Sequence, residues 1–166
     1  GRDDTSQFPD AVAALPSVGY LRHLAAEGIF SLAPERLIVS AAAGPREVLA
    51  QLETVGVEVI RIEQGASLET LPAKIRTIAK ASGHETSGAA LVASIEADLA
   101  RLETLRQANQ KPAPNAMFLL SHSGMTPMAA GSNTAGQAVI EAAGGRNAFS
   151  AFNGYKAVGA EAMIDK

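Results

Sequence analysis

Two tyrosines and two glutamates in this chain are set out as a repeat. Gly19-Tyr20 is followed seven residues after the tyrosine by Glu27, and Gly154-Tyr155 is followed six residues after the tyrosine by Glu161. Each copy then enters an apolar run, Gly28-Ile29-Phe30-Ser31-Leu32 in the first and Ala162-Met163-Ile164 in the second. A repeat spaced by most of the chain predicts two similar lobes, each with a Gly-Tyr loop and a carboxylate at the start of a short helix. A tyrosine binds ferric iron as a phenolate, but its unperturbed pKa near 10 means that the metal or a nearby cation must displace the proton. Arg22, two residues beyond Tyr20, is a candidate for that cation. On spacing alone, the simpler account is a tyrosine packed in a turn beside a solvated arginine.

Other chemistries are narrowed by what the 166 residues contain. There is no cysteine, which excludes disulfides, thiolate metal sites and cysteine nucleophiles. The three histidines, His23, His84 and His122, are scattered, and none is paired at helical i, i+4 spacing, which argues against a dedicated zinc site. His23 and His84 read as surface residues. A net charge of -3 with mixed signs offers no basic stripe for nucleic acid. No G-x-S-x-G elbow, P-loop, H-E-x-x-H or dinucleotide fingerprint is present, which leaves a small α/β enzyme as a remote alternative. No apolar run approaches the roughly 20 residues needed to span a bilayer.

The elements that must position these residues alternate strand and helix. Leu37-Ile38-Val39 predicts a buried strand; Pro45 suits a helix start, with Val48, Leu49, Leu52 and Val55 on one stripe and Gly56 ending it; Val57 to Ile62 is a second strand. So short a crossover implies neighbouring parallel strands. A helix from about Thr70 tolerates Pro72 in its first turn and turns Ile75 and Ile78 inward. Over residues 86–107, Leu91, Ile95, Leu99, Leu102 and Leu105 recur at spacings of three and four, which predicts one long amphipathic helix rising about 33 Å. Beyond Lys111-Pro112-Ala113-Pro114, residues 116–120 read as a buried strand and residues 121–128 as a loop at its carboxyl end, where open parallel sheets hold ligands. Thr134 and Gln137 predict a capping box for a helix closed by Gly144-Gly145. The chain begins without a methionine or a preceding strand and ends soon after its second repeat copy, so it reads as a fragment whose second lobe is truncated.

Arg2-Asp3-Asp4-Thr5-Ser6, Leu15-Pro16-Ser17-Val18-Gly19-Tyr20-Leu21-Arg22 and Ala26-Glu27-Gly28-Ile29-Phe30 resemble the N-terminal lobe of periplasmic haem-binding proteins that feed ABC haem importers. Phe118-Leu119-Leu120-Ser121-His122-Ser123-Gly124, and Ala130 to Ala135 running on to Ala143-Gly144-Gly145-Arg146-Asn147, are similar to the C-terminal lobe of the same family. The resemblance implies a class III substrate-binding protein with two Rossmann-like α/β lobes: residues 1–84, with the first strand missing, a bridging helix over 85–111, and the start of the second lobe over 112–166. It also implies a monomer in the periplasm that captures haem in the inter-lobe cleft, delivers it to an ABC permease and does no chemistry itself. Tyr20 is then the principal axial ligand with Arg22 beside it, and His122 is the candidate second iron ligand. Met125 and Met128 offer thioethers to the porphyrin face. Glu27 and Glu161 become permease-docking carboxylates, with ordinary helix N-terminal glutamates as the plainer account of either one alone. The alternative within the fold is cobalamin or a ferric siderophore, with Tyr20 reduced to a packing residue.

Overall fold

Branched residues build the first strand pair: β1 (Arg36–Ser40) and β2 (Glu58–Ile62) lie parallel, in register from Arg36↔Glu58 to Ser40↔Ile62, and helix α2 (Arg46–Thr54) connects them. The computed structural model describes residues 1–63, 65–121 and 126–164. Leu49 and Leu52 of α2 are buried as the apolar spacing predicts, and the helix gives way at Val55 and Gly56, whose φ is +93°.

By compactness the chain divides into two units, Gly1–Gln64 with Thr77–Glu85 and Gly65–Arg76 with Thr86–Lys166. The division passes within helix α3 (Leu71–Ser82) and at the first residue of helix α4 (Glu85–Ala108).

In the first unit Leu24, Val39, Leu49, Leu52 and Val57 pack with Ile29, which comes from the five-residue helix α1 (Ala26–Phe30). Arg36 spans the strand pair to Glu58 at 2.6 Å and donates to the Ala81 carbonyl at 3.0 Å, which ties β1 to the end of α3. Both side chains of that ion pair are more than half exposed, so its contribution is small. Three expectations about burial fail here. Ile38 is 40% exposed, Val55, just past the end of α2, is 62% exposed and Ile78 is 44% exposed. The strand pair has only two members among the described residues, which leaves β1 open on one side. The buried residues of α3 are the small Ala79 and Ala81.

In the second unit the long helix forms as predicted, and its stripe keeps Ile95, Leu99 and Leu102 but replaces Leu91 by Val92 and loses Leu105. Gly88 and Val92 are buried and Ile95, Leu99 and Leu102 are half-buried, whereas Leu91 and Leu105 are 52% and 60% exposed. One residue is about 100° around a helix, so a stripe anchored on Val92 turns Leu91 away from it.

The predicted strand over 116–120 is instead two pieces, β3 (Asn115–Ala116) and β4 (Leu119–Leu120), and Met117 to Leu120 are 36% to 46% exposed rather than buried. The break occurs where the pairing changes direction. β3 runs parallel to β6 (Arg146–Asn147), while β4 runs antiparallel to β5 (Met128–Ala130), which in turn pairs antiparallel with β7 (Tyr155–Ala157). Buried Asn147 joins the two patterns: its amide nitrogen donates to the Ala130 carbonyl at 2.8 Å and its amide oxygen accepts from the Phe149 N–H at 3.1 Å. Ala129, Phe149 and Val158 form the core here, with Phe152 and Met163 against them.

The Thr134 hydroxyl caps helix α5 (Ala135–Ala142) by accepting from the Gln137 N–H at 3.1 Å, but the Gln137 side chain donates onward to Glu141 at 2.7 Å. Half of the expected capping box therefore forms. Helix α6 (Ala160–Ile164) follows β7. Among the described residues no helix is long and apolar enough to cross a membrane.

Candidate ligand-binding site

Tyr20 stands on a turn closed by its own hydrogen bond and held in place by two neighbouring segments. Within the turn, the His23 N–H donates to the Tyr20 carbonyl at 2.8 Å. From the loop after β1, the Gly44 N–H donates to the Leu21 carbonyl at 3.0 Å and the Gly44 carbonyl accepts from the Leu24 N–H at 2.9 Å. From the N-terminal segment, the Asp4 N–H donates to the Gly19 carbonyl at 3.0 Å. Gly19 has a φ of +88°, a conformation that L side chains adopt only with strain. The turn is thus bonded to the loop that leaves the carboxyl end of β1, the end at which open α/β sheets hold ligands, and the Tyr20 side chain is exposed (42%).

The N-terminal segment is itself ordered by carboxylates. Asp3 accepts from the Ser6 N–H at 3.0 Å and from the hydroxyls of Ser6 and Thr5, while the Ser17 hydroxyl donates to Asp4 and accepts from the Gly19 N–H at 3.0 Å. Slight burial pushes the Asp3 carboxyl up, but the Ser6 and Thr5 hydrogen bonds outweigh it and hold the group below the usual carboxylate range.

The aromatic neighbour of Tyr20 is His23, with ring centroids 6.0 Å apart and planes inclined at 37°. Sequence reasoning placed His23 on the surface, which is correct, but missed this contact. The i, i+3 spacing across a turn opened by Gly19 is the signal that carries it. Arg22 is exposed, and among the described residues its guanidinium has no hydrogen-bond or ion-pair partner. Glu27 is exposed in the first turn of α1.

The second unit carries the other copy of the repeat. Gly154 has a φ of +77°, and Glu161 is exposed in the first turn of the five-residue α6. Met128 is half-buried and belongs to strand β5 rather than to the loop before it. His122 and Met125 lie outside the described residues. Tyr20, Arg22 and Glu27 therefore share one unit, and Met128 and Glu161 share the other. Among the described residues no group of three or more histidines and carboxylates is arranged to hold a bare metal ion.

A parallel α/β strand pair with an exposed phenol beside its carboxyl end belongs to the class of open-sheet ligand-binding folds. The sequence model of the periplasmic binding protein family matches residues 2–166, and the chain belongs to that family. Three solved structures are similar to it. The periplasmic heme-binding protein RhuT from Roseiflexus sp. RS-1 in apo form is 36% identical, with a TM-score of 0.86, over 98% of this chain and 63% of that one. A periplasmic heme-binding protein from Pseudomonas aeruginosa is 36% identical, with a TM-score of 0.86, over 98% and 59%. The periplasmic heme-binding protein HutB of Vibrio cholerae is 34% identical, with a TM-score of 0.84, over 98% and 62%. The chain thus spans about three fifths of the length of these relatives. The family and these relatives are binding proteins. Comparison with curated proteins gives no match.

Proposed function

We propose that the chain is the haem-capturing part of a periplasmic substrate-binding protein. It takes haem between two lobes, residues 1–84 and 112 onward, with the helix over 85–111 joining them. The protein is a monomer that performs no reaction on its cargo and hands it to an ABC permease of the inner membrane. The observation that carries this reading is the Tyr20 turn. An exposed phenol, held by backbone hydrogen bonds from two other segments, stands beside the carboxyl end of a parallel strand.

In this reading Tyr20 binds ferric iron as the phenolate, since an anionic oxygen matches a ferric centre better than a neutral nitrogen does, and Arg22 stabilises the negative charge. His122 approaches the iron as the second ligand, while Met125 and Met128 line the porphyrin face. Glu27 and Glu161, exposed at equivalent places in two short helices, meet cationic side chains of the permease.

Hemin titration of the full chain tests the site. Tyr20→Phe removes the phenolate-to-iron charge-transfer bands and weakens binding strongly, Arg22→Ala weakens it less, and His122→Ala shifts the spin state. An unchanged spectrum in Tyr20→Phe refutes haem ligation at this turn.

A further inference from the structure

We infer that His23 is a second iron donor on the Tyr20 side of the bound macrocycle, able to take the metal in place of the phenol. The inference rests on the haem reading above and deepens it. The turn bond from the His23 N–H to the Tyr20 carbonyl, 2.8 Å long, sets residues i and i+3 on one side of the chain, and the two exposed rings lie 6.0 Å apart.

The imidazole is uncommitted. Among the described residues no side-chain hydrogen bond or ion pair engages it, whereas His84 has its Nδ1 held 2.7 Å from the Ser82 carbonyl oxygen. The elements packed around the turn supply no rival donor. The carboxylates of Asp3 and Asp4 are engaged by the hydroxyls of Thr5, Ser6 and Ser17, Arg22 is a cation, and residues 41–45 of the loop after β1 are three alanines, a glycine and a proline. An imidazole with a free ring nitrogen is a common haem-iron ligand.

Each face of a macrocycle offers its iron one axial position, so two rings on one turn hold it alternately and not together. In the exchange the iron–oxygen bond to Tyr20 breaks, the oxygen keeps the electron pair and takes a proton from solvent, and a lone pair of His23 forms the iron–nitrogen bond. The iron stays ferric throughout, and no oxidant or reductant is required. The exchange replaces an anionic ligand by a neutral one at the same axial position.

Hemin titrations with absorption and electron paramagnetic resonance spectra test this on the full chain in wild type, Tyr20→Phe, Tyr20→Phe/His23→Ala and Tyr20→Phe/His122→Ala. Tyr20→Phe is expected to keep an imidazole-type spectrum that persists when His122 is also removed. That spectrum disappears, with a further loss of affinity of about tenfold or more, when His23 is removed. Equal spectra and affinities in Tyr20→Phe and Tyr20→Phe/His23→Ala overturn the inference while leaving the haem reading intact. A wild-type protein without phenolate bands overturns both. Far-UV circular dichroism checks folding, and Tyr20→Phe/His23→Gln replaces the alanine variant if that one does not fold.

Discussion

Replacing Gly19 by alanine isolates the backbone that presents Tyr20. At a φ of +88° an L residue is strained by about 1–2 kcal/mol, and alanine regains about 0.4–1 kcal/mol by restricting the unfolded chain. The net loss is about 1 kcal/mol, which lowers the thermal midpoint by roughly 2–8 °C. No steric term complicates the estimate, because the nearest atom to an added Cβ is the His23 carbonyl oxygen at 4.0 Å. Gly154→Ala is the matched control, with a φ of +77° and nothing within 4 Å of the added Cβ. Both variants lose comparable stability by differential scanning calorimetry. Only Gly19→Ala loses hemin affinity, by about three- to tenfold, since relaxing a strain of that size repopulates the turn in geometries that misplace the phenol. Equal hemin affinities in the two variants refute the claim that the Gly19 turn positions the ligand.

Glu27→Lys and Glu161→Lys leave hemin titrations unchanged but impair ATP-driven haem uptake in reconstituted vesicles, and the double reversal is worse than either, because like charges face the permease cations. Retained uptake in the double variant removes both residues from the docking surface. Asp3, whose carboxyl its hydrogen bonds hold below the ordinary value of 3.8, stabilises the fold fully above that value and loses the contribution as pH falls through the lower native value. The difference in thermal midpoint between wild type and Asp3→Asn, scanned from roughly pH 2 to 6, therefore shrinks toward the acid end. Leu52→Ala, which empties a site with 0% exposure, costs about 2–5 kcal/mol and lowers the urea midpoint without changing the slope.

The elements easiest to read from the sequence were those whose signals are local. Val57 to Ile62 and the stripe ending at Gly56 announce β2 and α2 because branched residues and a helix stop lie within a few positions of one another. Residues 116–120 were misread because strands of two residues have no periodicity, and the parallel and antiparallel pairings meet at Asn147, about thirty residues away. The stripe of α4 was right at Ile95, Leu99 and Leu102 and wrong at Leu91, because at that end Gly88 and Val92, not the larger leucine, are buried. Tyr20 was singled out by the family resemblance, since its type and spacing alone favoured a packing residue, and its turn by the preceding glycine. The His23 contact required the turn to be closed in space.

The repeat extends further than its Gly-Tyr signature, and the place where its copies diverge bears on which tyrosine binds. Each copy is latched by an isolated parallel bridge. The Arg2 N–H donates to the Pro16 carbonyl at 3.0 Å and its carbonyl accepts from the Val18 N–H at 2.8 Å; in the second unit Ser132 does the same with the Phe152 carbonyl at 2.7 Å and the Gly154 N–H at 2.9 Å. From there the paths differ. After Gly19 the chain turns back at once, so Tyr20 has backbone support and an exposed ring. After Gly154 it continues as strand β7, where Tyr155 pairs with Ala130 and is half-buried. Sheet pairing fixes a side chain against its neighbours, while a turn held by its own backbone leaves a phenol free to meet a ligand. Equivalent glycines thus present inequivalent tyrosines, and this difference is what favours Tyr20 over Tyr155 in the proposed haem reading.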